Sequence, residues 1–409
     1  MADIRTLIEW LDSCPTPFHV VERAAAEFAA AGFERVHDIS GAMPTRGWLE
    51  RDGAIAAWVR HDSTAPFRII GAHTDSPNLR IHPRPGFSAV GWDQLSVEVY
   101  GGVLINSWLD RDLGIAGRVV GRDGSVRNFA VHEPLARVPQ LAIHLDREVN
   151  EKGVVLDRQQ HLMPVWSTSG TDFAAWLSSV SGISDIVSFD AHLFDVTPAA
   201  LLGADRSMLA SGRLDNQVSC WAAVNAITSQ PIGGHNAVLI LNDHEEVGSE
   251  SVTGAAGPML ETVLTALCDG PGTSASSRHR ILAESWCMSA DNAHAIHPNY
   301  PERHEPRHAP VVNRGPAMKL NGNQRYATTS RGAALMTKIA ESAGVPLQVF
   351  VTRNNVPCGS TIGPITATRL GIECIDVGVP QLSMHSAREV CGALDPPRLV
   401  ELMSAFLVG

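Results

Sequence analysis

The sequence contains no Cys-x-x-Cys pair. Its seven cysteines (Cys14, Cys220, Cys268, Cys287, Cys358, Cys374, Cys391) are odd in number and widely scattered. That pattern suggests neither a zinc ribbon nor a disulfide framework, and a reduced, cytoplasmic setting is the simplest expectation. No apolar run approaches the ~20 residues that a membrane span requires. The polar start Met1-Ala2-Asp3-Ile4-Arg5 lacks the basic head and apolar core expected of a signal peptide. No basic run offsets the net charge of −11, so neither nucleic acid nor membrane is an expected partner. No Gly-x-Ser-x-Gly elbow offers a serine nucleophile. No Gly-x-Gly-x-x-Gly follows a strand-like segment, which leaves dinucleotide binding unsupported. Cys358-Gly359-Ser360-Thr361-Ile362-Gly363 is rich in glycine, yet no Lys follows it to cradle phosphate; it reads as a tight turn near the site.

What remains is an ordinary globular composition, 44% hydrophobic and 18% charged, in 409 residues, long enough for two domains. Residues 3–32 predict two helices broken at Cys14-Pro15-Thr16-Pro17, the second ending at Gly32. Phe67-Arg68-Ile69-Ile70 predicts a short buried strand. From about Gly86 to Ala204 the character becomes mainly β. Leu95, Val97 and Val99 alternate with polar neighbours, and Asp123-Gly124 marks a hairpin turn within 118–131. After Ala204, strands and helices alternate again. Ala237-Val238-Leu239-Ile240-Leu241 and 347–351 read as strands. Leu335, Met336 and Ile339 mark a helix closed by Gly344, and Leu399, Leu402, Met403 and Phe406 mark a last one. The expected fold is α/β, with a mixed, mostly parallel sheet covered by helices on both faces. Residues 1–85 and 205–409 would form this split domain, and 86–204 a β-rich insertion.

The chemistry centres on Glu245 and Glu246, two adjacent carboxylates just after an apolar strand. Burial there demands partners, although paired glutamates on a solvated face are common. In open α/β sheets, ligands bind beyond the carboxyl ends of the strands. Five residues at or beyond the ends of apolar segments could ligate metal: His73, Asp215, Glu246, Asp291 and His385. Each alone is more ordinarily a capping or hydrogen-bonding residue. Together, two His and three carboxylates suit two ions sharing one carboxylate, zinc above all, with manganese or cobalt as alternatives. Asp75, two residues beyond His73, suits the carboxylate that orients a ligating imidazole. His304-Glu305-Pro306-Arg307-His308 also matches the H-E-x-x-H pattern. That motif needs a helix, and Pro306 within it, with Pro301 and Pro310 outside, predicts a loop instead.

The chain resembles the aspartyl aminopeptidase family over nearly its whole length. The matching stretches include Gly71-Ala72-His73-Thr74-Asp75-Ser76-Pro77, Trp108-Leu109-Asp110-Arg111-Asp112-Leu113 and Leu141-Ala142-Ile143-His144-Leu145. Further matches are Arg213-Leu214-Asp215-Asn216, Asp243-His244-Glu245-Glu246-Val247-Gly248, Asp291-Asn292-Ala293-His294, Lys319-Leu320-Asn321 through Tyr326, and Met384-His385-Ser386. The resemblance implies one metal on His73, Asp215 and Asp291, a second on Asp215, Glu246 and His385, and Asp215 as the bridge. It implies Glu245 as general base, Asp75 as the orienting partner of His73, and His294, Lys319 and Tyr326 as substrate contacts. It also implies a tetrahedral dodecamer of dimers built through the insertion, with His144 reaching a neighbour's active site. As alternatives, His144 is a metal ligand or a buried structural histidine.

The expected reaction is hydrolysis of the first peptide bond of peptides with a free N-terminus. Lys319 would favour Asp or Glu as the released residue, unless it is merely a solvated surface lysine. A dinuclear deacylase or carboxypeptidase with the same metal set is the competing enzyme reading. An inactive shell serving assembly or cargo binding is the non-enzymatic one.

Overall fold

The computed structural model describes residues 2–231, 234–268 and 274–409. Its largest sheet has nine strands. Four lie side by side at the centre in the order Asn236–Asn242, Phe67–His73, Trp286–Ala290 and Glu373–Gly378, and all four run parallel. Antiparallel ladders join this block to Ala54–Val59 on one side and to Ala317–Leu320 on the other. The outer strands are Arg46–Arg51 and Glu34–Arg35 at one edge and Gln348–Val351 at the other.

The apolar runs in the sequence follow from coverage on both faces, as buried parallel strands require. In the Asn236–Asn242 strand, Ala237, Leu239 and Leu241 point into one core with Trp10, Phe28, Trp221 and Phe406. Helices Ile4–Ser13, Pro17–Ala30, Leu214–Thr228, Ser330–Ala343 and Asp395–Val408 supply that face. Val238 and Ile240 point the other way, into a second core with Val263, Leu267 and Ile281 from helices Met259–Cys268 and Ala275–Glu284.

A second sheet of six strands has its own core, in which Leu79, Leu95, Ile115, Phe129 and Leu193 are buried. Strands Leu113–Gly121 and Val126–Ala136 form its hairpin, with Val120 opposite Val126 across the Asp123-Gly124 turn. Its strand Asn78–Ala89 begins before position 86 and pairs with Trp92–Tyr100. A third sheet of five short strands ties Ala200–Leu202 and Met208–Ser211 to Glu389–Gly392, Pro380–Leu382 and Ala293–His294. No helix among the described residues is long and apolar enough to cross a membrane. The 304–308 segment follows a one-turn helix, Pro301–Arg303, and is itself irregular. His304 Nε2 accepts from the His297 amide, while His308 pairs with Glu305, so the two imidazoles are engaged separately. The 358–361 segment is not the tight turn expected; it is an irregular stretch feeding helix Ile362–Leu370.

Candidate metal centre

The parallel block delivers three strand ends to one rim of the sheet. Phe67–His73 ends on His73 itself, Trp286–Ala290 leads straight into Asp291, and Asn236–Asn242 leads into the one-turn helix Glu245–Val247. The fourth central strand, Glu373–Gly378, continues through Pro380–Leu382 to His385. Asp215 sits at the start of the Leu214–Thr228 helix, where a kink gives it non-helical φ −83° and ψ 107° just ahead of the regular turns. A buried carboxylate, Glu389, holds this turn and the His385 loop together. It accepts from the Asp215 amide at 3.0 Å and from the His385 amide at 2.7 Å.

These elements surround a cleft of about 510 Å³ lined by His73, Asp215, Glu245, Glu246, Asp291 and His385. His294, Lys319 and Tyr326 line the same cleft, with Gly359, Ser360 and Thr361. His73 Nε2 lies 3.4 Å from Asp215 Oδ1 and 3.8 Å from Asp291 Oδ1. His385 Nε2 lies 3.7 Å from Asp215 Oδ2 and 3.4 Å from Glu246 Oε1. Asp215 thus presents one oxygen to each imidazole. His73 Nδ1 is 3.1 Å from the Asp75 carbonyl and 3.3 Å from its carboxylate, which fixes the ring with Nε2 facing the cleft. His385 Nδ1 is fixed in the same way by the Gly102 carbonyl at 3.0 Å.

The electrostatics of this cluster call for added positive charge. Asp75, Asp215, Glu245, Glu246 and Asp291 converge on two imidazoles and one ammonium. Burial works against charge on His73, but the carboxylates of Asp215, Asp291 and Asp75 hold its pKa well above the usual histidine value. Burial likewise opposes charge on His385, yet Asp215 and Glu246 push it up to about 10. Asp215 is buried too, and His385 and His73 nonetheless keep it far below the carboxylate range. Burial, reinforced by Asp291, Asp75 and Asp215, pushes Glu245 up to about 7. In this arrangement protons on the imidazoles balance the carboxylates. Divalent cations would take over that duty and leave both imidazoles neutral.

The donor set fits such cations. Asp215, Glu246 and His385 form one group of converging ligand atoms, His73, Asp215 and Asp291 another, and His73, Glu245 and Glu246 a third. Asp215 Oδ1 is buried and receives no hydrogen bond, an orphaned acceptor of the kind a metal ion satisfies. Two donors at ~2.0–2.1 Å from one tetrahedral zinc stand roughly 3.3 Å apart, close to the 3.4 Å between His73 and Asp215 and between His385 and Glu246. Mixed nitrogen and oxygen donors suit zinc.

Lys319 is buried, not a solvated surface lysine. Its Nζ donates to Asp291 Oδ2 at 3.2 Å and to the Asn292 carbonyl at 3.1 Å, and lies 4.9 Å from the centre of the Tyr326 ring. His144 is not brought to the cleft of its own chain. It sits exposed in a turn of the second sheet's connections and belongs to none of the ligand groups among the described residues. Within its own chain His144 is therefore neither a ligand of the cleft nor a buried residue. Sequence reasoning missed two groups. Glu389 carries no local signal, and Tyr100 falls out of phase with the apolar alternation of Leu95, Val97 and Val99; its hydroxyl donates to Asp75 Oδ2 at 2.8 Å.

A model of the M18 family, the aminopeptidase I zinc metalloproteases, matches residues 10–407. A probable M18 family aminopeptidase 2 of Streptomyces coelicolor is 48% identical, over 98% of this chain and 96% of its own. One of the same description from Mycobacterium tuberculosis is 42% identical, over 98% of this chain and 97% of its own. Among solved structures, a chain from a complex of Ape4 and Nbr1 superposes with a TM-score of 0.93 at 35% identity, covering 99% of this chain and 85% of that one. A chain of the S. cerevisiae mApe1 dodecamer superposes with a TM-score of 0.84 at 26% identity, covering 98% and 95%. A chain matched from end to end in this way, with converging metal donors at the rim of its sheet, belongs to the M18 family and is a zinc metallo-aminopeptidase.

Proposed function

We propose that the enzyme hydrolyses the first peptide bond of peptides with a free N-terminus, preferring Asp or Glu as the residue released. The observation that carries this is the convergence of His73, Asp215, Glu246, Asp291 and His385 in one cleft, with Glu245 among them. His73, Asp215 and Asp291 would hold one divalent ion and Asp215, Glu246 and His385 a second, most simply zinc, with manganese or cobalt as substitutes. When bound, such ions lower the pKa of a water and polarise the scissile carbonyl.

The protein's own groups do the rest. Glu245 takes the proton of the attacking water and returns it to the leaving amine. Its placement supports this role, because its carboxylate lines the cleft beside His73 and Glu246. Asp75 keeps the His73 tautomer fixed. The acidic wall of the cleft attracts the free α-amine of the substrate, which restricts attack to chain ends. Lys319 has three N–H donors and commits two of them, to Asp291 and Asn292. The third is left for a substrate carboxylate, with His294 and Tyr326 beside it.

The solved dodecamer relative supports a homo-oligomer for this chain, and we take a tetrahedral dodecamer of dimers as its form. The 86–204 segment would be the dimerisation domain, with His144 placed to reach a neighbouring subunit's substrate. The cytoplasmic setting rests on the cysteine pattern alone. Substrate class is tested by comparing N-terminal Asp, Glu, Leu and Ala peptides with their acetylated forms and with acyl-amino acids. The proposal expects cleavage only of free-amine peptides, fastest for Asp and Glu, and loss of activity on chelation with recovery on adding zinc. Cleavage of the acetylated or acyl substrates would instead favour a deacylase.

A further inference from the structure

We infer that Tyr100 is a positioning residue for the metal centre, and that through it the second sheet is a working part of the active site. This rests on the reading of His73 as a ligand oriented by Asp75. The strand Trp92–Tyr100 belongs wholly to the second sheet, yet its last residue turns away from that sheet's core. The Tyr100 hydroxyl donates to Asp75 Oδ2 at 2.8 Å, and its ring is braced edge-on by His192, 6.1 Å between centres.

Asp75 is buried, 1% exposed, and sits at the crossing point of the site. Its Oδ1 faces His73 Nδ1 at 3.3 Å and accepts from the Glu245 amide at 3.1 Å, while Oδ2 accepts from the Glu246 amide at 3.1 Å. One carboxylate therefore sets the orientation of His73 and the backbone that carries both glutamates. Tyr100 supplies the side-chain donor that fixes its second oxygen. Without the hydroxyl, Oδ2 keeps only the Glu246 amide among these donors, and the carboxylate is held less firmly against His73.

The residues that follow extend the same support to the other ligand group. Gly101 has φ +74°, and a Cβ there would lie 3.1 Å from Glu246 Cβ. At Gly102 a Cβ would lie 3.1 Å from His385 Nδ1, the atom that the Gly102 carbonyl itself fixes at 3.0 Å. Three consecutive residues leaving the second sheet thus touch Asp75, Glu246 and His385. Supporting partners of metal ligands are worth roughly 10–100-fold in metal affinity or activity.

The test is Tyr100→Phe in the full-length zinc enzyme, which removes one hydroxyl and keeps the ring. Bound zinc is measured against graded EDTA, alongside kcat, KM and the unfolding midpoint of the zinc-stripped protein. The expected result is a chelator midpoint about tenfold lower, with kcat reduced, KM close to wild type and the zinc-free unfolding midpoint unchanged. Wild-type zinc retention would overturn the proposal, as would a loss of retention matched by an equal loss of zinc-free stability. Zinc retention does not require Glu245 to act as a base. A fully active Glu245→Gln enzyme would therefore end the general-base assignment and leave this test standing.

Discussion

Glu245 and Glu246 are neighbours in sequence, and both amides donate to the same Asp75 carboxylate. Their side chains nevertheless meet different partners. Glu246 Oε1 lies 3.4 Å from His385 Nε2 and shares that imidazole with Asp215. Glu245 converges with Glu246 on His73, the imidazole that also lies close to Asp215 and Asp291. Under the proposed allotment, in which Glu246 rather than Glu245 ligates, Glu245 is the carboxylate kept for proton transfer. Lys319 gives the residue scale its selectivity prediction. A charge-assisted hydrogen bond contributes about 1.5–3 kcal/mol, so Lys319→Ala is expected to lower kcat/KM for N-terminal Asp and Glu by roughly 10–100-fold. Loss of the Asp291 contact will affect every substrate alike. The readout is therefore the ratio of Asp to Leu hydrolysis, and equal losses on both would remove Lys319 from specificity.

At the level of elements, the site exists because four parallel strands end on one rim, and their packing leaves little room for side chains there. A Cβ on Gly378, the last residue of Glu373–Gly378, would overlap the Asp291 carbonyl. Gly378→Ala is accordingly expected to displace Asp291, so that the purified protein holds less zinc and unfolds at lower temperature; a zinc content and Tm equal to wild type would contradict this packing account. Most of this scaffold was legible in the sequence. The apolar runs at 67–70 and 237–241 marked strands because they are covered on both faces. Gly344 closed the Ser330–Ala343 helix as read, in the left-handed conformation at φ 66°. Less legible was what depends on distant contacts. Asp215 precedes the regular turns of its helix, and what holds it there is Glu389, 174 positions away. Tyr100 stands out of phase with Leu95, Val97 and Val99, and only the fold brings it to Asp75. The third sheet was unreadable because its strands are two to four residues long and drawn from remote parts of the chain.

Across the whole molecule, the two larger sheets meet at a seam that carries a buried histidine, His192. His192 of the strand Ile186–Asp195 has its Nδ1 3.0 Å from Asn78 Oδ1, and its ring lies 6.4 Å from Phe18 of the Pro17–Ala30 helix. Burial, helped by the nearby Arg80 charge, lowers its pKa from 6.5 to about 4. Between those values the unfolded chain binds a proton that the folded chain refuses. Stability from this group is present above pH 6.5 and is lost as pH falls toward 4, by as much as ~3 kcal/mol. His192→Asn is expected to flatten that part of the urea-midpoint profile between pH 7 and 4.5, and an unchanged slope would place the acid sensitivity elsewhere. The assembly is checked by light scattering, where the proposed dodecamer has the mass of twelve 43.8 kDa chains and a stable monomer or dimer would rule it out.

In the proposed division of labour, His73, Asp215, Glu246, Asp291 and His385 hold the metals and Glu245 moves the proton. Glu245→Gln tests it most directly, with bound zinc and kcat measured on the same sample. The expected result is two zinc ions per chain, as in the wild type, with kcat lowered by roughly 10²–10⁴-fold. Near-normal turnover with both metals bound would contradict it.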